Sequence, residues 1–127
     1  QIRQVFQNLI GNAIKFRRDG VEPIVHISSR VIARDGIELA ELCFEDNGTG
    51  FDEKYAEKIF GMFQRLDGAK YPGTGIGLTI CKKIMTRHGG TIIAKSTLGK
   101  GSAFFVTFPL NQSNQKIESY VTQVESH

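Results

Sequence analysis

The chain has 127 residues, 40% of them apolar and 23% charged, with a formal net charge of +3. That length suits one domain able to bury a core without disulfide or metal staples, and the small, scattered charge argues against a nucleic-acid partner. No run of about 20 apolar residues is present to span a membrane, and no signal-peptide pattern is visible.

Ile2, Val5, Phe6, Leu9, Ile10, Ala13 and Ile14 recur at i, i+3, i+4, i+7, which predicts an amphipathic helix ending near Asp19-Gly20. The pattern is already running at Gln1 with no cap before it, so partner segments are expected upstream. Val25, Ile27, Val31 and Ala33 alternate, Asp35-Gly36 signals a turn, and Ala40, Leu42 and Phe44 share one parity, giving two strands of a hairpin. Asp46 falls on that apolar parity, where an acid is costly unless partnered. A short helix is expected from about Asp52 to Phe60, capped by Asp52. Helical periodicity resumes from Gly77 to His88, with Ile80, Cys81, Ile84, Met85 and His88 on one face and Gly89-Gly90 ending it. Thr91 to Ser96 and Ser102 to Phe108 read as two further strands, with Phe104, Val106 and Phe108 on a common face. Beyond Asn111 the composition turns polar, so the division is a domain at 1–110 and a tail or linker at 111–127. Two hairpins interrupted by helices give an α+β layer, helices on one face of a largely antiparallel sheet. Cys43 and Cys81 each lie in an apolar segment and are expected as small buried hydrophobes, in keeping with a reducing compartment.

Four short elements carry possible chemistry. Asn8, Asn12 and Lys15 make one narrow polar stripe on the first helix. Two amide oxygens and an ammonium can hold hydrated Mg²⁺ and a phosphate, although a solvated helix face has the same look. Asp46-Asn47-Gly48-Thr49-Gly50 puts a carboxylate at a strand end beside glycines that let backbone approach a flat ligand; a tight turn would use the same residues. Gly73-Thr74-Gly75-Ile76-Gly77-Leu78 opens a helix, where side-chain-free N–H groups favour phosphate. It is neither a Walker loop nor a dinucleotide fingerprint. Gly99-Lys100-Gly101-Ser102 joins the last two strands and can be a plain hairpin turn.

Taken in order, these elements resemble the histidine kinase branch of the GHKL superfamily, over roughly Gln1 to Leu110. Gln7 to Phe16 is similar to the N box, Asp46 to Gly50 to the first glycine box, Ile59 to Arg65 to the F box, Gly73 to Leu78 to the second glycine box and Gly99 to Ser102 to the third. The resemblance implies a two-layer α/β sandwich, the Bergerat fold, with a mixed, mostly antiparallel sheet covered on one face by about three helices. It implies Asn8 and Asn12 as ligands of Mg²⁺ or phosphate, Lys15 on the phosphates and Phe16 near adenine and ribose. Asp46 would read the adenine, Gly48 and Gly50 line its pocket, and Gly73, Thr74, Gly75, Ile76, Gly77 and Leu78 form the lid edge over ATP. Arg65 would be a cation near the terminal phosphate, with Lys70 as a less defined second, and Asn8, Lys15 and Arg65 are the expected catalytic set.

One position separates the branches. The gyrase and MutL ATPases have a glutamate four residues before the asparagine matched by Asn12, and it activates water. Here that position is Asn8, and an amide is not a general base. The resemblance therefore implies a protein-histidine kinase domain that binds Mg-ATP and delivers its γ-phosphoryl to a histidine on a separate dimerisation and acceptor domain, with a response-regulator receiver as indirect partner. A cytoplasmic location is expected. A GHKL ATPase, an anti-sigma-type serine kinase and a nucleotide-binding module without transfer are the competing classes. None of His26, His88 and His127 sits in an acceptor context, and His88 is expected to be structural.

Overall fold

The computed structural model describes residues 2–61 and 74–110. Helix α1 spans Ile2–Lys15, strands β1 and β2 span Val25–Arg34 and Ile37–Asp46, helix α2 spans Thr74–Arg87, and β3 and β4 span Thr91–Thr97 and Gly101–Pro109. The four strands form one sheet in the order β1-β2-β4-β3, every pairing antiparallel. The expected mixed sheet is thus wholly antiparallel among the described strands. The two central strands pair antiparallel although α2 and β3 lie between them in sequence, so residues at the end of β2 meet residues at the start of β4.

Alternation decides which face is covered. Leu42 and Phe44 of β2, Phe104, Val106 and Phe108 of β4, and Ile92 and Ala94 of β3 are all buried on one side. Against them lie Ile2, Val5, Phe6 and Leu9 of α1 and Leu78, Cys81, Ile84 and Met85 of α2. Phe6 meets Phe44 edge-on at 5.1 Å, an arrangement that suits the opposed charge of ring face and ring edge. Asp35 (φ 54°) and Gly36 (φ 78°) make the β1–β2 turn with two left-handed residues, as the Asp-Gly pair predicts.

Several expectations need correction. In place of a helix from Asp52 to Phe60 there are two 3₁₀ turns, Glu53–Tyr55 and Lys58–Phe60, so among the described residues two α-helices rather than about three cover the sheet. Nine residues barely repay helix nucleation, and tertiary bonds take over. Asp52 does cap the first turn, accepting from the Lys54 amide at 3.1 Å. The neighbouring Glu53 carboxylate accepts from the Ser96 amide at 2.6 Å, drawing this segment onto β3. Helix α1 stops at Lys15, four residues early, because Arg17 Nη1 donates to the Ile14 carbonyl at 3.0 Å and the Phe16 carbonyl turns away to accept from Thr49 N at 2.9 Å. Helix α2 begins three residues before Gly77. His88 is exposed, not on the apolar face, because the helix ends beneath it and Met85 fills the core there. Cys43 is only half-buried: flanked by the inward Leu42 and Phe44, it points to the outer face of the sheet, whereas Cys81 is fully buried. The apolar parity of β1 runs past the helical cover, leaving Val31 63% exposed.

Candidate functional site: a nucleotide cleft between the helices and the sheet edge

The end of β2 is where the buried-acid question is answered. Asp46 Oδ1 accepts from the backbone N–H of Gly48 at 2.9 Å and of Ser102, on β4, at 3.3 Å. Burial pushes the Asp46 carboxyl above its ordinary value, the two amides pull it back, and Glu45 next door pushes it up again. The following loop is threaded through its neighbours. A Cβ on Gly48 would lie 2.7 Å from the Phe16 carbonyl and 3.0 Å from Asp46 Oδ1, so only glycine lets α1's end pack here. Gly50 has φ +64° and faces the Thr97 carbonyl, and Gly99 N donates to the Thr49 carbonyl at 2.6 Å.

Beside Asp46 lies a cleft enclosing ≈ 390 Å³ of empty space, its open mouth included. Phe51, Ile59, Leu78 and Phe104 give it apolar walls, Asn12 and Phe16 close the α1 side, and Asp46 and Ser102 provide polar groups. An apolar slot with one carboxylate at its edge matches a flat heteroaromatic base carrying an amine. A second, more open hollow adjoins it, sharing Asn12 and Leu78 and bounded by Gln7, Asn8, Gly11, Lys15 and Gly77. A Cβ on Gly77 would meet nothing within 4 Å, so protein packing does not demand glycine there; what a side chain would fill is the hollow itself. Asn8 Nδ2 donates to the Gly77 carbonyl at 3.3 Å, fastening α1 to the start of α2. Lys15 is exposed, its ammonium 5.8 Å from the Phe16 ring centre.

The donor set fits a phosphate-bound, hydrated Mg²⁺. Asn8 and Asn12 offer two neutral amide oxygens on one hollow, and Mg²⁺ takes few protein oxygens while keeping waters and phosphate oxygens. No group of three or more His, Cys, Asp or Glu side chains able to cage a metal exists among the described residues.

The expected residues therefore assemble as follows. Asn12, Phe16, Asp46, Gly50 and Leu78 line the apolar cleft, Asn8, Asn12, Lys15, Gly77 and Leu78 line the second hollow, and Gly48 packs against Asp46 Oδ1. Thr74, Gly75 and Ile76 fall in the first turn of α2. Arg65, Lys70 and Gly73 lie outside the described residues, as do Phe63 and the tail 111–127. Sequence reasoning passed over Thr49, Phe51, Ile59, Ser102 and Phe104 as cleft residues. Ser102 had a signal, being the last residue of the third glycine-rich element. Ile59 opens the F-box stretch, whereas Phe51 had no signal: it follows Gly50 directly and its N–H donates to Ser96 Oγ on β3 at 2.8 Å.

Residues 1–112 match the family model described as histidine kinase-, DNA gyrase B- and HSP90-like ATPase. The chain belongs to that family. It is 43% identical over 111 residues to cyanobacterial phytochrome A of Nostoc sp., covering 87% of this chain and 14% of that protein. It is 36% identical over 118 residues to the sensor histidine kinase WalK of Bacillus subtilis, covering 91% of this chain and 19% of that protein. Among solved structures, the catalytic domain of the histidine kinase ThkA superposes with a TM-score of 0.66 at 31% identity, covering 85% of this chain and 66% of that one. Within the family the chain is thus a catalytic domain of the sensor histidine kinase type. It spans less than a fifth of the length of these two curated relatives. No helix among the described residues is long and apolar enough to cross a membrane.

Proposed function

We propose that this domain binds Mg-ATP and passes the γ-phosphoryl to a histidine on a separate acceptor domain of the same protein, from which a response-regulator receiver is charged. The observation that carries the reading is the pair of adjoining hollows: an apolar slot ending on the partly buried Asp46, and a polar hollow lined by Asn8, Asn12 and Lys15. Adenine would lie in the first, its exocyclic amine donating to Asp46, with the triphosphate running past Asn12. Asn8 and Asn12 would hold Mg²⁺ with waters and phosphate oxygens, and the metal would supply charge neutralisation on the transferring phosphoryl. Lys15, the first-turn amides of α2 and Arg65 would supply further positive charge. Asn8 cannot act as a general base, so water is not activated and the phosphoryl is kept for the acceptor. We assign residues 1–110 to this domain, 111–127 to a tail or linker, and the whole to the cytoplasm.

The test is transfer in trans. Incubated with γ-labelled ATP, Mg²⁺ and the parent protein's acceptor helices, the domain should place acid-labile, alkali-stable label on the acceptor while releasing little free phosphate. Steady phosphate release by the domain alone, with no label on the acceptor, would instead make it an ATPase.

A further inference from the structure

Three features lie outside the roles assigned above: the outer face of the sheet, the buried Cys81 thiol, and Arg18. Arg18 is carried by the loop between α1 and β1, and its guanidinium donates twice. Nε reaches the Asn47 carbonyl at 2.8 Å and Nη1 reaches the Gly99 carbonyl at 3.3 Å. Asn47 directly follows Asp46; Gly99 lies three residues before Ser102. Those are the two segments whose amides, at Gly48 and Ser102, hold Asp46 Oδ1.

The geometry assigns Arg18 as the positioning residue of the base cleft: its fork ties the end of β2 to the β3–β4 turn and so fixes the direction of the Asp46 carboxylate. This rests on the nucleotide reading above. A planar guanidinium can donate to two carbonyls at once from a fixed frame, whereas an ammonium on a flexible stem is a point donor. The remaining ties across this junction do not replace it. Asn47 Oδ1 accepts from Ile24 N at 2.8 Å and Nδ2 donates to the Glu22 carbonyl at 3.0 Å, which anchors the loop to the segment before β1 but not to the β3–β4 turn. The β2–β4 ladder reaches Glu45 and Ala103 and holds the two strands, but it stops short of the turn at Gly99; Gly99 N to the Thr49 carbonyl ties that turn three residues beyond Asp46. The role differs from that of Arg17, whose guanidinium is spent on the Ile14 carbonyl of its own helix.

The experiment compares wild type, Arg18→Gln and Arg18→Lys by calorimetric titration with Mg-AMP-PNP and by amide hydrogen exchange. Arg18→Gln should weaken binding by about tenfold, the scale of one hydrogen bond to a charged group. Exchange should quicken at Gly48 and Ser102 while the core amides of Leu9 and Val106 keep their protection. Arg18→Lys, with charge but no fork, should stay close to Arg18→Gln. Wild-type affinity in Arg18→Gln, full rescue by lysine, or faster exchange throughout the core would each overturn the assignment. If the wild type itself fails to bind, the nucleotide reading falls, and exchange at Gly48 and Ser102 still decides whether Arg18 holds the junction.

Discussion

Asp46→Asn separates recognition from stability. In the free protein Asp46 Oδ1 accepts two amides, from Gly48 and Ser102, and an asparagine oxygen in the same rotamer keeps both. What changes is the second atom, which turns from an acceptor into an NH₂ donor facing the slot. Against an adenine amine, donor then meets donor. Loss of a hydrogen bond to a charged acceptor costs about 1.5–3 kcal/mol, so Mg-ATP affinity should fall roughly tenfold to 150-fold. Stability should move the other way. Burial raises the carboxyl above its ordinary value, so ionised Asp46 disfavours the fold. That cost is absent below the unfolded pKa and fully present above the raised folded one, so it grows as pH rises through the window between them. The asparagine variant carries no such cost. Its melting temperature at neutral pH should equal or exceed that of wild type, and the difference should shrink as pH falls below the ordinary carboxylate range. Titration calorimetry and thermal melts at neutral and acid pH check both. Unchanged Mg-ATP affinity, or a variant much less stable than wild type at neutral pH, would refute the reasoning.

Asn8→Ala should weaken nucleotide binding about tenfold in the presence of Mg²⁺ and leave it nearly unchanged in EDTA, as expected for a lost metal ligand; equal losses in both would remove Asn8 from the metal. Gly50→Ala should lower unfolding free energy in urea by about 2 kcal/mol or more, since Gly50 combines φ +64° with a Cβ position against the Thr97 carbonyl. A midpoint equal to wild type would show that the loop relaxes freely. The Cys81 thiol, which burial pushes up to about 11, should resist iodoacetamide until the protein unfolds, and the half-buried Cys43, also raised chiefly by burial, should react slowly. Rapid native-state modification of Cys81, followed by mass spectrometry, would contradict the packing of α2.

Much of this was legible because period and parity carry physical information. The i, i+3, i+4 pattern of α1 included all five of its buried residues, though it also took in Ile14, which is 48% exposed near the helix end, and the shared parity of Leu42, Phe44 and Asp46 placed an acid on the covered face. What periodicity does not carry is competition by side chains distant in sequence. Helix α1 ends where Phe16 and Arg17 find other partners, and the segment after Asp52 gives up helix because Glu53 is bonded to β3. Ile59 reaches the cleft from the second 3₁₀ turn and Phe51 from the residue after Gly50, with its N–H bonded to Ser96 on β3, so no periodicity marks them. Arg18 is the extreme case. In sequence it is a charge in a helix's expected last turn, and its worth comes from carbonyls 29 and 81 residues away.

One nucleotide should occupy both hollows at once. Titrating Mg-ATP into the domain while following the amide resonances of Gly48, Ser102, Asn12 and Gly77 measures this directly. One saturable event, with all four resonances moving on the same binding curve and the shifts at Asn12 and Gly77 depending on Mg²⁺, is the predicted result. No saturation, or shifts that spare Gly48 and Ser102, would contradict it.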